Sequence, residues 1–329
     1  MLGPHLEDPY GRTVRDLRIS ITDRCNFRCR YCMPQEGMTW LPREDLLSFD
    51  ELERVARVCV ERFGFESIRL TGGEPTVRAH LPRLIERLAA LGVELSLTTN
   101  ASSLSHQAAD LARAGLRRIN VSCDSLRRDR FIEITGRDAL ADVLAGIDAA
   151  LAAGLAPLKL NCVVVRGLND DEIVDFAAFG RDKGIEIRFI EWMPLDAGRS
   201  WSADAVVPGS EIIDAIDRVW PLEEEPGRGS APAERFSFRD GGGRVGVISS
   251  VTKPFCETCD RVRLTAEGQL RNCLFSVRET DLRAILRSGG TDDDLAGAIE
   301  AEVGRKWAGH AIGQVHFIQP ARSMSQIGG

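Results

Sequence analysis

Leu17-Arg18-Ile19-Ser20-Ile21-Thr22-Asp23-Arg24-Cys25-Asn26-Phe27-Arg28-Cys29-Arg30-Tyr31-Cys32 is the stretch on which the fold turns. It opens as a short apolar run, 17–22, of strand length, and passes directly into three cysteines spaced Cys-x3-Cys-x2-Cys. Working outward, apolar runs at 67–71, 94–98, 118–122, 157–164 and 186–190 predict five more strands. Amphipathic stretches at 49–63, 81–91, 105–114, 139–153 and 171–183 predict helices between them; the last opens on Asp170-Asp171-Glu172, acidic residues suited to a helix N-terminus. Six strands alternating with helices predict an α/β fold with a parallel sheet and right-handed crossovers. An eight-stranded barrel needs two more such units, and the residues after Met193 are not expected to supply them.

From 196 to 243 the character changes: Pro208, Pro221, Pro226 and Pro232 interrupt the chain, and glycine gathers at 227, 229 and 241–243. This reads as a connecting region with one helix, 210–219. Helical patterns follow near 279–288 and 292–307, and 318–329 has no periodicity. The expected division is a core at 1–195 and a C-terminal region at 196–329.

The 329-residue chain is 43% hydrophobic, enough for an ordinary core, and its net charge of −7 argues against nonspecific nucleic-acid binding. A local arginine cluster for a small anion remains compatible with that charge. No apolar run approaches the roughly 18–20 residues of a membrane span, and residues 1–12 lack the apolar stretch of a signal peptide. A cytoplasmic protein is expected. The nine cysteines are odd in number, and six form two tight triplets, which argues against a disulfide framework and for metal ligation. Cys59, Cys123 and Cys162 read as small core residues.

Cys25, Cys29 and Cys32 offer three thiolates with no histidine nearby. Three thiolates suit a [4Fe–4S] cluster with one iron left open, whereas structural zinc normally takes a closed set of four ligands. Cys256-x-x-Cys259, with Cys273 further on, again offers three. By spacing alone, zinc completed by His310 or His316 stays open there.

With Tyr31 between the last two cysteines of the first triplet and Thr71-Gly72-Gly73-Glu74-Pro75 ending the second strand, the chain resembles the radical S-adenosylmethionine (SAM) superfamily. Paired glycines let a backbone approach a ligand closely. The resemblance implies a partial (β/α)6 barrel of the TIM type, with a cluster whose open iron is chelated by SAM and whose electron cleaves it to a 5′-deoxyadenosyl radical. It implies SAM contacts at Tyr31, Gly73, Thr99, Ser122 and Met193, most of them where polar strand ends converge on one face of a barrel.

The stretch from Phe255 to Thr265, continuing to Cys273-Leu274-Phe275, resembles the C-terminal signature of the MoaA-type GTP 3′,8-cyclases of molybdenum-cofactor (molybdopterin) biosynthesis. Matching segments run from Gly11-Arg12 to the final Ser325–Gly329. The resemblance implies a second [4Fe–4S] cluster on Cys256, Cys259 and Cys273, whose open iron binds guanine. It implies GTP contacts at Arg18, Arg69, Thr98, Lys159, Asn161, Arg188, Arg261 and Arg263, with Arg261, Arg263 and Lys159 also catalytic. The implied product is (8S)-3′,8-cyclo-7,8-dihydroguanosine 5′-triphosphate, passed to cyclic pyranopterin monophosphate synthase. A homodimer, an electron-donor protein of unspecified kind, no nucleic-acid partner and no membrane complete the expectation. Gly328-Gly329 are expected to reach the active site. Ala101 and Cys123 depart from the family pattern, and 230–236 matches it weakly. The rivals are a radical SAM peptide or protein modifier with an auxiliary cluster and a non-catalytic zinc scaffold.

Overall fold

The structure, a computed structural model, describes residues 5–33, 39–315 and 317–328. His316 and Gly329 lie outside the described residues. The first six strands are β1 (Asp16–Ser20), β2 (Ser67–Thr71), β3 (Glu94–Thr99), β4 (Arg118–Ser122), β5 (Leu158–Val164) and β6 (Glu186–Glu191). They pair in that order, every neighbour parallel. The helices between them are α1 (Phe49–Phe63), α2 (Leu81–Ala89), α3 (Ala108–Arg113), α4 (Arg128–Thr135), α5 (Leu140–Ala152) and α6 (Ile173–Lys183). Helix α1 starts where a capping box can form: Ser48 accepts from the Glu51 N–H, and Glu51 returns a bond to Ser48. It stops at Gly64, which takes the left-handed conformation that glycine tolerates best.

Two expectations about the rest of the chain are corrected. Beyond α7 (Gly209–Asp217) lie β7 (Leu222–Glu225), β8 (Glu234–Phe238) and β9 (Arg244–Ile248), then β10 (Arg261–Leu264), β11 (Gln269–Arg271) and β12 (Thr280–Asp281). Strand β9 adds parallel to β6, and β10 adds parallel to β1 on the opposite flank. The region after Met193 therefore supplies two more parallel strands, and the connecting region holds more than one helix. Eight parallel strands run β10-β1-β2-β3-β4-β5-β6-β9, flanked by antiparallel β11-β12 and β8-β7. The sheet stays open, because β9 and β10 do not pair. Residues 249–260 lead from the C-terminal end of β9 to the N-terminal start of β10.

Helices α8 (Leu282–Arg287) and α9 (Asp292–Val303) follow, α9 packing on α1. Contrary to the aperiodic reading of the tail, Met324–Ile327 form a four-residue helix, α10, with a Ser323/Gln326 capping box. A four-residue helix is too short to leave a periodic signal. One continuous core fills the space between sheet and helices; Leu195, Phe275 and Ile327 form a small second cluster near the tail. Cys59, Cys123 and Cys162 are buried in the main core, as expected. Among the described residues, no helix is long and apolar enough to cross a membrane.

Candidate active site

Because β1 and β10 are parallel neighbours, the places where the two cysteine triplets leave the sheet are set. Cys25 follows the C-terminal end of β1, while Cys259 precedes the N-terminal end of β10, so they lie toward opposite ends of the same strand pair. Between them is a cavity of about 270 Å³. Its walls include Cys25, Cys29, Cys32 and the expected SAM contacts Tyr31, Gly73, Thr99, Ser122 and Met193. Arg18, Arg69, Thr98, Asn161, Arg188, Arg261 and Arg263 line it too. Lys159, on β5, is buried but is not among the lining residues. Cys256, Cys259 and Cys273 are not among the lining residues, but their sequence neighbours Phe255, Arg261, Arg263 and Leu274 are.

The loops at the first triplet are fastened by backbone and carboxylate. The Gly73 N–H donates to Thr22 O (2.7 Å) and the Glu74 N–H to Arg24 O (2.8 Å). Buried Glu74 accepts from the Thr99 hydroxyl (2.7 Å) and the Asn100 N–H (2.7 Å), joining the ends of β2 and β3. Burial pushes the Glu74 carboxyl above its ordinary range. Tyr31 donates to Asp124, which also accepts from the Val163 N–H (2.7 Å); burial raises Asp124 to about 6. Asn100, Asp124 and Glu191 were not singled out from sequence. Glu191 accepts from the Gly209, Val251 and Thr252 N–H groups, each at 2.8 Å, anchoring the start of 249–260. Polar residues closing an apolar strand were its one available signal.

In strand register, Arg263 lies beside Arg18, and Arg18 beside Arg69. Like charges side by side on adjacent strands destabilise a sheet, and buried cations are costly when unpaired. Burial drives Arg18 well below its usual range, with Arg263 and Arg69 pushing the same way; burial, then Arg261, lowers Arg263 to about 10. Asp16 is 4.0 Å from Arg18 and 3.8 Å from Arg261. Arg18 Nε and Asn161 Oδ1 are buried without a hydrogen-bond partner among the described residues. Arg188 pairs with Glu186, and Arg263 donates to the Gly328 carbonyl. A Cβ on Gly328 would lie 2.7 Å from the Thr71 methyl, so this approach requires glycine.

The Radical SAM superfamily pattern matches residues 19–180, and Molybdenum Cofactor Synthesis C matches 185–312. A GTP 3′,8-cyclase of Streptomyces coelicolor is 49% identical over 332 residues, covering 99% of this chain and 97% of its own. The chain belongs to the GTP 3′,8-cyclase family. A GTP 3′,8-cyclase of Mycolicibacterium smegmatis is also 49% identical, over 99% of this chain and 92% of its own. Among solved structures, Streptococcus suis SuiB bound to precursor peptide SuiA aligns at TM-score 0.60 with 15% identity, covering 89% of this chain and 68% of that one. Native anSMEcpe with bound AdoMet aligns at 0.58 with 16% identity, covering 89% and 81%. These likenesses show the fold, a partial barrel.

Superfamily membership implies a [4Fe–4S] cluster and SAM for this GTP 3′,8-cyclase family member, and the first triplet has the donors for a cluster. All three are free thiols at the cavity wall. Burial raises Cys25 to about 11 and Cys32 to about 12, and pushes Cys29 up as well. Buried thiols of this kind ionise when a cationic group takes them as ligands. The Phe27 N–H stands 3.4 Å from Cys25 Sγ and Asn100 Nδ2 at 4.0 Å, contacts of the kind that tune cluster thiolates. No group of three or more His, Cys, Asp and Glu side chains among the described residues is arranged to hold a single metal ion. Cluster thiolates bind separate irons and need not converge on one point. His310, the zinc alternative for the second triplet, has its Nε2 2.8 Å from Ser250 O.

Proposed function

We propose that the chain is a GTP 3′,8-cyclase, a lyase converting GTP to (8S)-3′,8-cyclo-7,8-dihydroguanosine 5′-triphosphate in molybdenum-cofactor biosynthesis. The observation that carries this reading is the row Arg263–Arg18–Arg69, facing a cavity that lies between the two triplets. A triphosphate carries about four negative charges at neutral pH, and arginine forks are its natural partners. Bound there, it adds negative charge to a row whose nearby carboxylate is Asp16, and offers a hydrogen-bond partner to Arg18 Nε. Arg188, Arg261, Asn161, Thr98 and Lys159 complete the proposed GTP set, with Arg261, Arg263 and Lys159 assigned to the reacting nucleotide.

Cys25, Cys29 and Cys32 would hold the superfamily cluster, and Tyr31, Gly73, Thr99, Ser122 and Met193 the SAM beside it. Cys256, Cys259 and Cys273 would hold a second [4Fe–4S] cluster that takes the guanine. Held by Cys25, Cys29 and Cys32, the first cluster would supply the electron for SAM cleavage, the source of the hydrogen-abstracting radical. The chain's own part is to orient C3′ and C8 and to keep water from the reacting carbons. The tail, whose Met324 and Ser325 line the cavity, adds to that exclusion. We place the division between core and C-terminal region near residue 195. A cytoplasmic homodimer, served by an electron-donor protein and passing product to cyclic pyranopterin monophosphate synthase, fits this reading.

Anaerobic reconstitution with SAM, reductant and GTP, followed by product analysis, tests it. The expected result is the cyclised nucleotide together with 5′-deoxyadenosine. Cys29→Ser should abolish both products, and Cys259→Ala only the first. Cyclisation by Cys259→Ala at near wild-type rate would remove the second cluster's role.

A further inference from the structure

Lys306, just past α9, is buried, with 4% of its surface exposed. An ammonium has three donors. Two go to Arg261 O (2.6 Å) and Asn272 O (2.7 Å), and the third points to Cys259 Sγ at 3.8 Å. Arg261 follows Cys259 by two residues, and Asn272 immediately precedes Cys273. One side chain therefore ties together both arms that carry the second triplet. Lys306 forms no ion pair with a carboxylate among the described residues, and Lys306, Arg261 and Arg263 are the cations that act on Cys259. Two carbonyls can satisfy donors but cannot neutralise a buried charge, which is costly without an anion. The sulfur of Cys259 is the group placed to be that anion.

We propose that Lys306 is the counter-cation of the second cluster, a positioning residue that acts through Cys259 and raises the cluster's reduction potential. The proposal rests on the reading that Cys256, Cys259 and Cys273 hold an iron–sulfur cluster. A positive charge and an N–H donor beside a cluster thiolate favour the reduced, more negative state. Removing the charge while keeping a donor should move the potential downward.

The test uses the full chain, reconstituted anaerobically as wild type, Lys306→Gln and Lys306→Arg. Iron and sulfide content are measured, and the paramagnetic signal insensitive to added SAM is followed through a redox titration. Lys306→Gln should titrate at a more negative potential than wild type, and Lys306→Arg close to it. If Lys306→Gln loses four irons per chain and Lys306→Arg keeps them, the need for a cation is equally supported. Unchanged potential in a fully loaded Lys306→Gln would overturn the proposal, and so would equal loss of iron from both variants, which marks a brace of fixed size. A wild-type chain with only one cluster would instead sink the reading beneath it.

Discussion

Arg261 illustrates how much of the site one residue carries. Its guanidinium donates to Ser230 O, lies 5.2 Å from the Phe255 ring, and stands 3.5 Å from Asp260. Hydrogen bonds to charged groups are worth roughly 1.5–3 kcal/mol, so Arg261→Ala should weaken GTP binding by about tenfold to a hundredfold. Both clusters should still assemble; calorimetry and iron content on one preparation decide it, and loss of second-triplet iron would assign the residue to the loop instead. Lys159 gives a different signature. Burial, then Arg188, lowers its ammonium from the ordinary lysine value to about 7. The sign follows from linkage: between about pH 7 and the unfolded value the unfolded chain holds the extra proton, so this residue's destabilising effect is full below 7 and fades as pH rises. A triphosphate nearby restores the charge. GTP binding at pH 8 should therefore take up protons, measured by calorimetry in buffers of differing ionisation enthalpy, and Lys159→Met should abolish that uptake. Equal uptake by both would place Lys159 outside the phosphate site.

Among elements, the loops after β1 and β2 make the tightest fit. A Cβ on Gly73 would sit 2.3 Å from Arg24 O and 2.5 Å from Asp23 O, both backbone atoms with no flexible end to yield. Gly73→Ala should push the first-triplet loop off β2, costing about 1–3 kcal/mol by overpacking. SAM affinity should fall while the second cluster's iron is retained; tight SAM binding by this variant would refute the account. The same elements explain what was readable beforehand. The strands at 67–71 and 118–122 and helix α1 were legible to the residue, since apolar period and caps coincide there. Strand β10 was not: in Arg261-Val262-Arg263-Leu264 two charges break the apolar run, and both arginines line the cavity. Strand β9, Arg244-Val245-Gly246-Val247-Ile248, lay hidden behind Gly241-Gly242-Gly243. The arginine row needed register as well as identity, because strand order across β10, β1 and β2 is set by tertiary pairing. Lys306 left no signal in sequence at all, its partners lying 34 to 47 residues away.

For the whole molecule, one core holds most of the buried apolar residues, yet the parallel array is not a closed ring. Its two flanks are joined covalently by residues 249–260. Glu191 grips that segment at one end. At the other, buried Arg12 donates to Cys256 O (2.7 Å) and Ala308 O (2.8 Å) and is paired with Asp8. A chain laid between the two sides of an incomplete hoop behaves as a drawstring. On the proposal that Cys256, Cys259 and Cys273 hold one cluster, that group would fix the separation of the two sides. Assembly of the second cluster should then slow amide exchange in β9 and β10 more than in β3 and β4, which do not adjoin the strap in sequence; uniform slowing across the sheet would refute this. On that proposal, the width of the chamber would follow the supply of iron.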